Sequence, residues 1–295
     1  TAPILNISIG GISHALASSA IDASSGIVTY TYLVLSSDGQ TGTGLTVDSI
    51  TGNIQDANGN TSVNAALNNV ANLSTVAVDG ATSGSGVDGY LDGVTIYADN
   101  DHSGDLSSGD SVAVANATGG FKLYGGTGPL QMFGGTDIST GLDFGVQYSA
   151  PTGYSIINPI SSLIYAAQVL ESSSNDEAYE VVRAAIYGAT GGPDASAVPN
   201  YDPFNAAVNA DNTTDADSAV TYQRMAAAVA TVVEISSEAM VALGITDSGG
   251  TPLTQAQASM VVFTSIATDI GAGFVGGTLL SQLQDTTFID NLVTD

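Results

Sequence analysis

Residues 99–110 read DNDHSGDLSSGD, and they place Asp99, Asp101, Ser103, Asp105, Ser107 and Asp110 close together. These side chains offer only carboxylate and hydroxyl oxygen, the donor that a hard divalent cation takes. Carboxylates at this density repel one another unless water or a cation offsets them. The chain has few cations of its own to offer. Its 29 acidic residues face only Lys122, Arg183 and Arg224, for a net charge of -26.

Counted from Asp99 as position 1, Asp101 is 3, Ser103 is 5, Gly104 is 6, Asp105 is 7, Ser107 is 9 and Asp110 is 12. That is the spacing of an EF-hand calcium loop. Alternate side chains converge on the ion, the glycine permits a sharp turn, and position 7 supplies a backbone carbonyl. Position 12 normally carries a bidentate Glu. Asp110 is one methylene shorter, so a tighter or partly water-filled Ca²⁺ site is expected. His102, at position 4, is expected to point outward. The competing reading is a solvated Asp/Gly turn. The flanks also differ from an EF-hand, because GVTIYA and SVAVANA read as strands rather than helices.

The elements that must hold this loop divide by periodicity. Residues 1–80 read as β. Leu5, Ile7 and Ile9 alternate with Asn6 and Ser8, and GIVTYTYLVLSSDG (26–39) is rich in β-branched and aromatic residues before an Asp-Gly turn. Short strands and Gly/Asn/Asp turns suggest a small sandwich. Residues 81–87 are small and read as a linker, and strands resume through GYLDGVTIYAD, DSVAVANATGGFKLYGG and GLDFGVQYSAPTG. From about 158 the period becomes 3.6. Pro159 suits a first helical turn. Asn175, Asp176 and Glu177 open a second helix that Gly188 closes, and Thr254 and Gln257 sit at capping-box spacing. A long Ala-rich helix ends at Gly244, with Met225, Val229, Val232, Ile235 and Met240 as its core stripe. TLLSQLQDTTFIDNLV reads as a last helical segment. The expected fold is α+β: N-terminal antiparallel β-sandwich domains (1–80 and 81–157) followed by a C-terminal α-helical bundle (158–295).

GVTIYADNDHSGDLSSGDSVAVANATGGFKL resembles the strand–calcium loop–strand unit of the B-type, prealbumin-like domains of large bacterial surface adhesins. Asp99, Asp101, Ser103, Asp105 and Asp110 match its loop positions, and Gly120 and Phe121 match its downstream pair. GGTDISTGLDFGVQYSAPTGYSIINPISSLI (134–164) is similar to a segment that joins such a sandwich to a helical region in very large secreted repeat proteins. NYDPFNAAV (200–208) is similar too. The resemblance covers about 85–245. It implies a surface location, calcium, adhesion or assembly, and no catalysis.

Composition excludes several functions. Phosphate binding needs Lys and Arg, so nucleic acid is not an expected partner; anionic membranes are disfavoured for the same reason. No run of about 18 consecutive apolar residues is present, and membrane insertion is not expected. Without cysteine there are no disulfides, thiolate sites or Cys nucleophiles. Two histidines, His14 and His102, leave few nucleophile–base arrangements, and only five acids are Glu, with no motif that singles out a pair. No enzyme is expected. DANGN (56–60) could be a second cation loop but reads better as a hairpin turn. DNTTDAD (211–217) reads as helix capping, and GGTGPL (125–130) as a turn. Asn6, Asn60, Asn72, Asn116 and Asn212 each begin a glycosylation sequon.

The expected function is an extracellular or cell-surface structural subunit. It would assemble with copies of itself into a filament, matrix fibre or surface layer, stabilised by calcium. The apolar strand at residues 3–12 would pair within its own sheet or be donated to a neighbour, with SHALASSAIDASSG as its tether. The alternative is a ligand-binding module of a larger adhesin, with a surface glycan as partner.

Overall fold

The computed structural model describes residues 3–9, 12–22, 25, 27–32, 45–52, 54–55, 61–62, 81–88, 91–138, 140–188, 191–273 and 279–294. DANGN, Asn72 and most of the stretch after Tyr32 that was read as strand lie outside them. The chain forms two compact units: Thr1–Thr82 with Tyr124–Gly126, and Ser83–Leu123 with Thr127–Asp295. Its class is α+β, with antiparallel sheets and several helices.

The first unit contains β1 (Ile4–Ile9), β2 (Ile12–Asp22), β3 (Ile27–Tyr30), β4 (Leu45–Thr51) and the short pair β5 (Ile54–Gln55) and β6 (Thr61–Ser62). Its main sheet runs β3-β2-β1-β4, antiparallel throughout. Register explains the alternation in β1. Leu5 faces Leu16, Ile7 faces His14 and Val47, and Ile9 faces Leu45. The intervening positions are polar: Asn6 donates to Ser49 at 2.9 Å and Ser8 to Asp48 at 2.5 Å. His14 stacks on Tyr32, with ring centroids 4.5 Å apart.

This sheet corrects one expectation. The first ten residues of the segment read as a tether, 13–22, belong to the eleven-residue strand β2. Ala and Ser carry little strand preference of their own, so the pairing with β1 supplies what the local sequence lacks. Both hydrogen-bonding edges of β1 are occupied, by β2 and by β4. In this conformation β1 has no free edge to donate.

The second unit begins one residue into β7 (Thr82–Gly86) and continues with β8 (Leu91–Asp92), β9 (Thr95–Ala98), β10 (Ser111–Val114), β11 (Gly120–Leu123), β12 (Leu130–Phe133), β13 (Thr136–Asp137), β14 (Gln147–Ala150) and β15 (Ile156–Ile157). The helices follow: α1 (Pro159–Glu171), α2 (Asn175–Tyr187), α3 (Pro203–Val208), α4 (Thr213–Ala242), α5 (Gln255–Ala272), α6 (Leu279–Gln282) and α7 (Thr286–Thr294). One sheet runs β10-β9-β12-β14, and a smaller one runs β11-β7-β15 with a parallel β7–β15 pair.

The boundary drawn at 157 marks a change of secondary structure, and the core continues across it. Ile96, Met132 and Tyr148 from the sheet share one apolar cluster with Leu163, Val229 and Phe263 from the helices. Serines join the layers. The Ser162 hydroxyl accepts the Ser149 N–H at 2.8 Å, and Ser259 accepts the Gln147 N–H at 2.9 Å. Ser161 donates to the Ser149 carbonyl at 2.7 Å. The outer backbone edge of β14 is thus capped by side chains of α1 and α5, which closes it to further strand pairing.

Helix starts follow local chemistry. Asn158 and Ser161 form a capping box on α1, Ser174 and Glu177 on α2, and Thr254 and Gln257 on α5. Asn212 caps α4 by accepting from Asp215 N–H. The last segment is two helices: α6 ends at Gln282, and Asp285 opens α7, its carboxylate receiving the Thr287 N–H at 2.8 Å. In α4, Met225, Val229, Val232 and Met240 are buried as expected, while Ile235 is 55% exposed. By length and composition α4 could cross a membrane, although the sequence lacks a long unbroken apolar run; 39% of its most apolar window is buried inside the protein.

Candidate metal centre

The loop at 99–110 is the connection of a β-hairpin. Ala98 pairs with Ser111 across β9 and β10, so Asp99 and Asp110 are the next residues outward on the two arms. The hairpin register therefore brings together the two ends of a twelve-residue loop. Inside it, Gly104 takes φ +79° and His102 takes φ +56°, and these turn the chain back on itself. His102 is exposed, as expected.

Asp99, Asp101 and Asp110 converge. Each offers one carboxylate oxygen, and these three atoms lie within 4.8 Å of one another. Asp99 is 0% exposed, Asp110 is half-buried and Asp101 is exposed. The cluster could hold a metal ion. All six carboxylate oxygens already accept one hydrogen bond from the loop. Asp99 takes the Ser103 and Gly104 N–H groups, both at 2.9 Å. Asp110 takes the Asn100 N–H at 2.9 Å and the Ser107 N–H at 2.7 Å. Asp101 takes the Ser103 N–H at 3.1 Å and the Ser107 hydroxyl at 2.9 Å. Hydrogen bonding from Ser103 and Ser107 holds the Asp101 carboxyl below the usual aspartate range.

An ionised carboxylate has about four lone-pair sites. One donor per oxygen fixes the orientation of each group and leaves acceptor capacity for a cation. The donors are neutral, so they do not cancel the three negative charges. All the groups that meet here are hard oxygens, the donors that hard cations take and soft ones do not.

The other sequence-expected ligands are placed around this cluster. Ser107 reaches Asp101 directly. The Ser103 hydroxyl donates to the Asp105 carbonyl at 2.8 Å. The Asp105 carboxylate is exposed and is not among the three that converge.

Several supporting residues were not visible in the motif. Asn100, at loop position 2, receives the Thr127 N–H at 2.9 Å and the Gly128 N–H at 3.1 Å through its side-chain carbonyl. Thr127 and Gly128 thereby clamp the loop. Beneath it, the Tyr97 hydroxyl donates to the Gly104 carbonyl at 2.8 Å, and Gln147 reaches the same carbonyl at 3.3 Å. Gln147 also donates to Gln131 at 3.1 Å. Burial, reinforced by the Asp99 charge, pushes the Tyr97 hydroxyl well above the usual tyrosine range, so it stays a donor at ordinary pH. The one available signal was a Gln in each of two otherwise buried strands, LQMF and QYSA.

Comparison of the chain with protein-family models, with curated proteins and with solved structures yielded no match.

Proposed function

We propose that the 99–110 loop binds Ca²⁺ and that the chain is a structural, non-catalytic subunit of an extracellular filament, matrix fibre or surface layer. The observation that carries the calcium reading is the convergence of Asp99, Asp101 and Asp110 within 4.8 Å, with neutral donors alone to hold them. Calcium is preferred over magnesium because it accepts six to eight oxygens in flexible geometry, whereas magnesium demands a near-ideal octahedron. The carboxylates and water would fill its shell, with the Ser103 and Ser107 hydroxyls and the Asp105 carbonyl close by. Asp110 in place of Glu makes this a weaker site, suited to the calcium-rich medium outside cells.

The finer fold belongs to the same reading. The two sheets that share the core of the second unit are taken as a prealbumin-like sandwich, the helices after 158 as a bundle, and the first unit as a further sandwich. The extracellular setting is supported by composition: a net charge of -26 with three basic residues fits a salty, cation-rich exterior that screens self-repulsion. A donated strand would here take the form of exchange, in which β1 makes its Leu5–Leu16 and Ile7–Val47 pairs with another copy.

Calorimetry of the full chain with calcium and with chelator tests the site. At a free calcium of about 100 times Kd, binding to the native state alone adds about 2.7 kcal/mol. The melting temperature should rise with calcium, and the rise should vanish in Asp101→Ala, at an exposed position. An unchanged melting temperature in the native chain sinks the calcium reading. Electron microscopy with and without calcium tests assembly, and dispersed particles under both conditions would refute it.

A further inference from the structure

Residues of α1, α2 and α5 line an open surface pocket of about 510 Å³, within the range of small-molecule sites. Its apolar wall is Ala167, Leu170, Ala178, Val181 and Ala267. Its polar side is of one sign. Glu171 closes α1 and Gly271 lies in the last turn of α5, so two helix C-termini meet here, and neither has a basic residue in its last turn. A helix C-terminus carries partial negative charge and favours a cation. The Glu171 carboxylate adds a full charge; a Cβ on Gly271 would stand only 3.5 Å from its Oε1. Among the described residues Glu171 has no hydrogen bond or ion pair, whereas Glu177 is occupied by the Ser174 N–H and hydroxyl. The Ser173 hydroxyl on the same wall is buried without a partner.

We propose that this cavity binds a small aliphatic amine as its ammonium ion. The charged head would lie against Glu171 and the two helix ends, and the alkyl chain against the alanine and leucine wall. The apolar wall argues against a bare metal ion, which needs oxygen on most sides. The chain's own field raises the local concentration of any cation, and here an exposed carboxylate, Glu171, stands beside an apolar wall. The site is separate from the aspartate loop and does not depend on calcium.

Isothermal titration of the full chain with n-pentylammonium and with n-butylammonium, in about 0.15 M salt to screen the general field, tests the proposal. One amine per chain is expected. Glu171→Gln should weaken it about tenfold or more, the equivalent of about 1.4 kcal/mol. Gly271→Leu, which fills the mouth at an exposed helical position, should abolish it. Neutral n-pentanol should bind far more weakly. Glu238→Gln, on the exposed side of α4, should leave the affinity unchanged. Circular dichroism verifies that each variant is folded. The proposal is overturned if no amine binds, if pentanol binds as well as the amine, if Glu171→Gln has no effect, or if Glu238→Gln weakens binding as much as Glu171→Gln does.

Discussion

The Cβ position of Gly128 lies 1.9 Å from the carbonyl oxygen of Asp99. No side chain fits there, because the obstacle is backbone. Gly128→Ala must push the start of the aspartate loop away from the turn that clamps it. We expect a loss of about 1–3 kcal/mol, as for other overpacked sites, and a weaker calcium response, both read from thermal melts with and without the ion. Gly109→Ala is the internal control. Its Cβ would meet only the Ser107 hydroxyl, at 3.7 Å, and should change little.

The serine caps on β14 make a second prediction. Ser162→Ala leaves the buried Ser149 N–H without its acceptor, and Ser259→Ala does the same to Gln147. Each should cost about 1–3 kcal/mol, the penalty for an orphaned buried donor. Urea unfolding measures the cost. An unchanged midpoint in both variants would mean that water replaces the hydroxyls.

Asp88 makes stability depend on pH. Its carboxyl accepts the Tyr148 hydroxyl at 2.5 Å. Burial raises its pKa, the nearby charges of Asp137 and Glu234 raise it further, and the Tyr148 bond opposes them. Asp143 lines the same pocket. The folded state therefore holds this proton more tightly than the unfolded chain does. Its contribution is fully present below the ordinary aspartate pKa of about 3.9 and is lost as pH rises through the raised folded value. Asp88→Asn, which keeps an acceptor for Tyr148, should gain stability relative to the native chain as pH increases from about 3.5 to 7. A difference in melting temperature that stays constant across that range would contradict this.

Removal of residues 1–12 should damage the first unit rather than release a folded monomer. β1 lies between β2 and β4, so its loss exposes two strand edges and removes the partners of Leu16, Val47 and Leu45. We expect the protection of β2, β3 and β4 to fall in hydrogen exchange while the second unit keeps its protection. Full protection in both units would show that β1 is dispensable to its own sheet, as a donated strand must be.

The convergence of Asp99, Asp101 and Asp110 was legible because one contiguous stretch carries it. A twelve-residue turn is governed by local spacing, by Gly104 at positive φ, and by strands on either side. Helix starts were legible for the same reason: a capping pair such as Thr254 and Gln257 acts within one turn of chain.

What the sequence by itself determined is therefore local: an oxygen-rich loop between two strands, the α+β order, and the boundaries of the main helices. Only the tertiary structure decided the rest. It made a strand of Ile12–Asp22, because pairing with β1 and β3 outweighs the weak preference of Ala and Ser. It set Gly128, Tyr97 and Gln147 around the loop, although they come from three separate segments. It turned the α1 and α5 ends toward one cavity. Contacts between distant segments arise from packing and register, whose energies depend on which faces meet, and no local pattern of residue types encodes that choice.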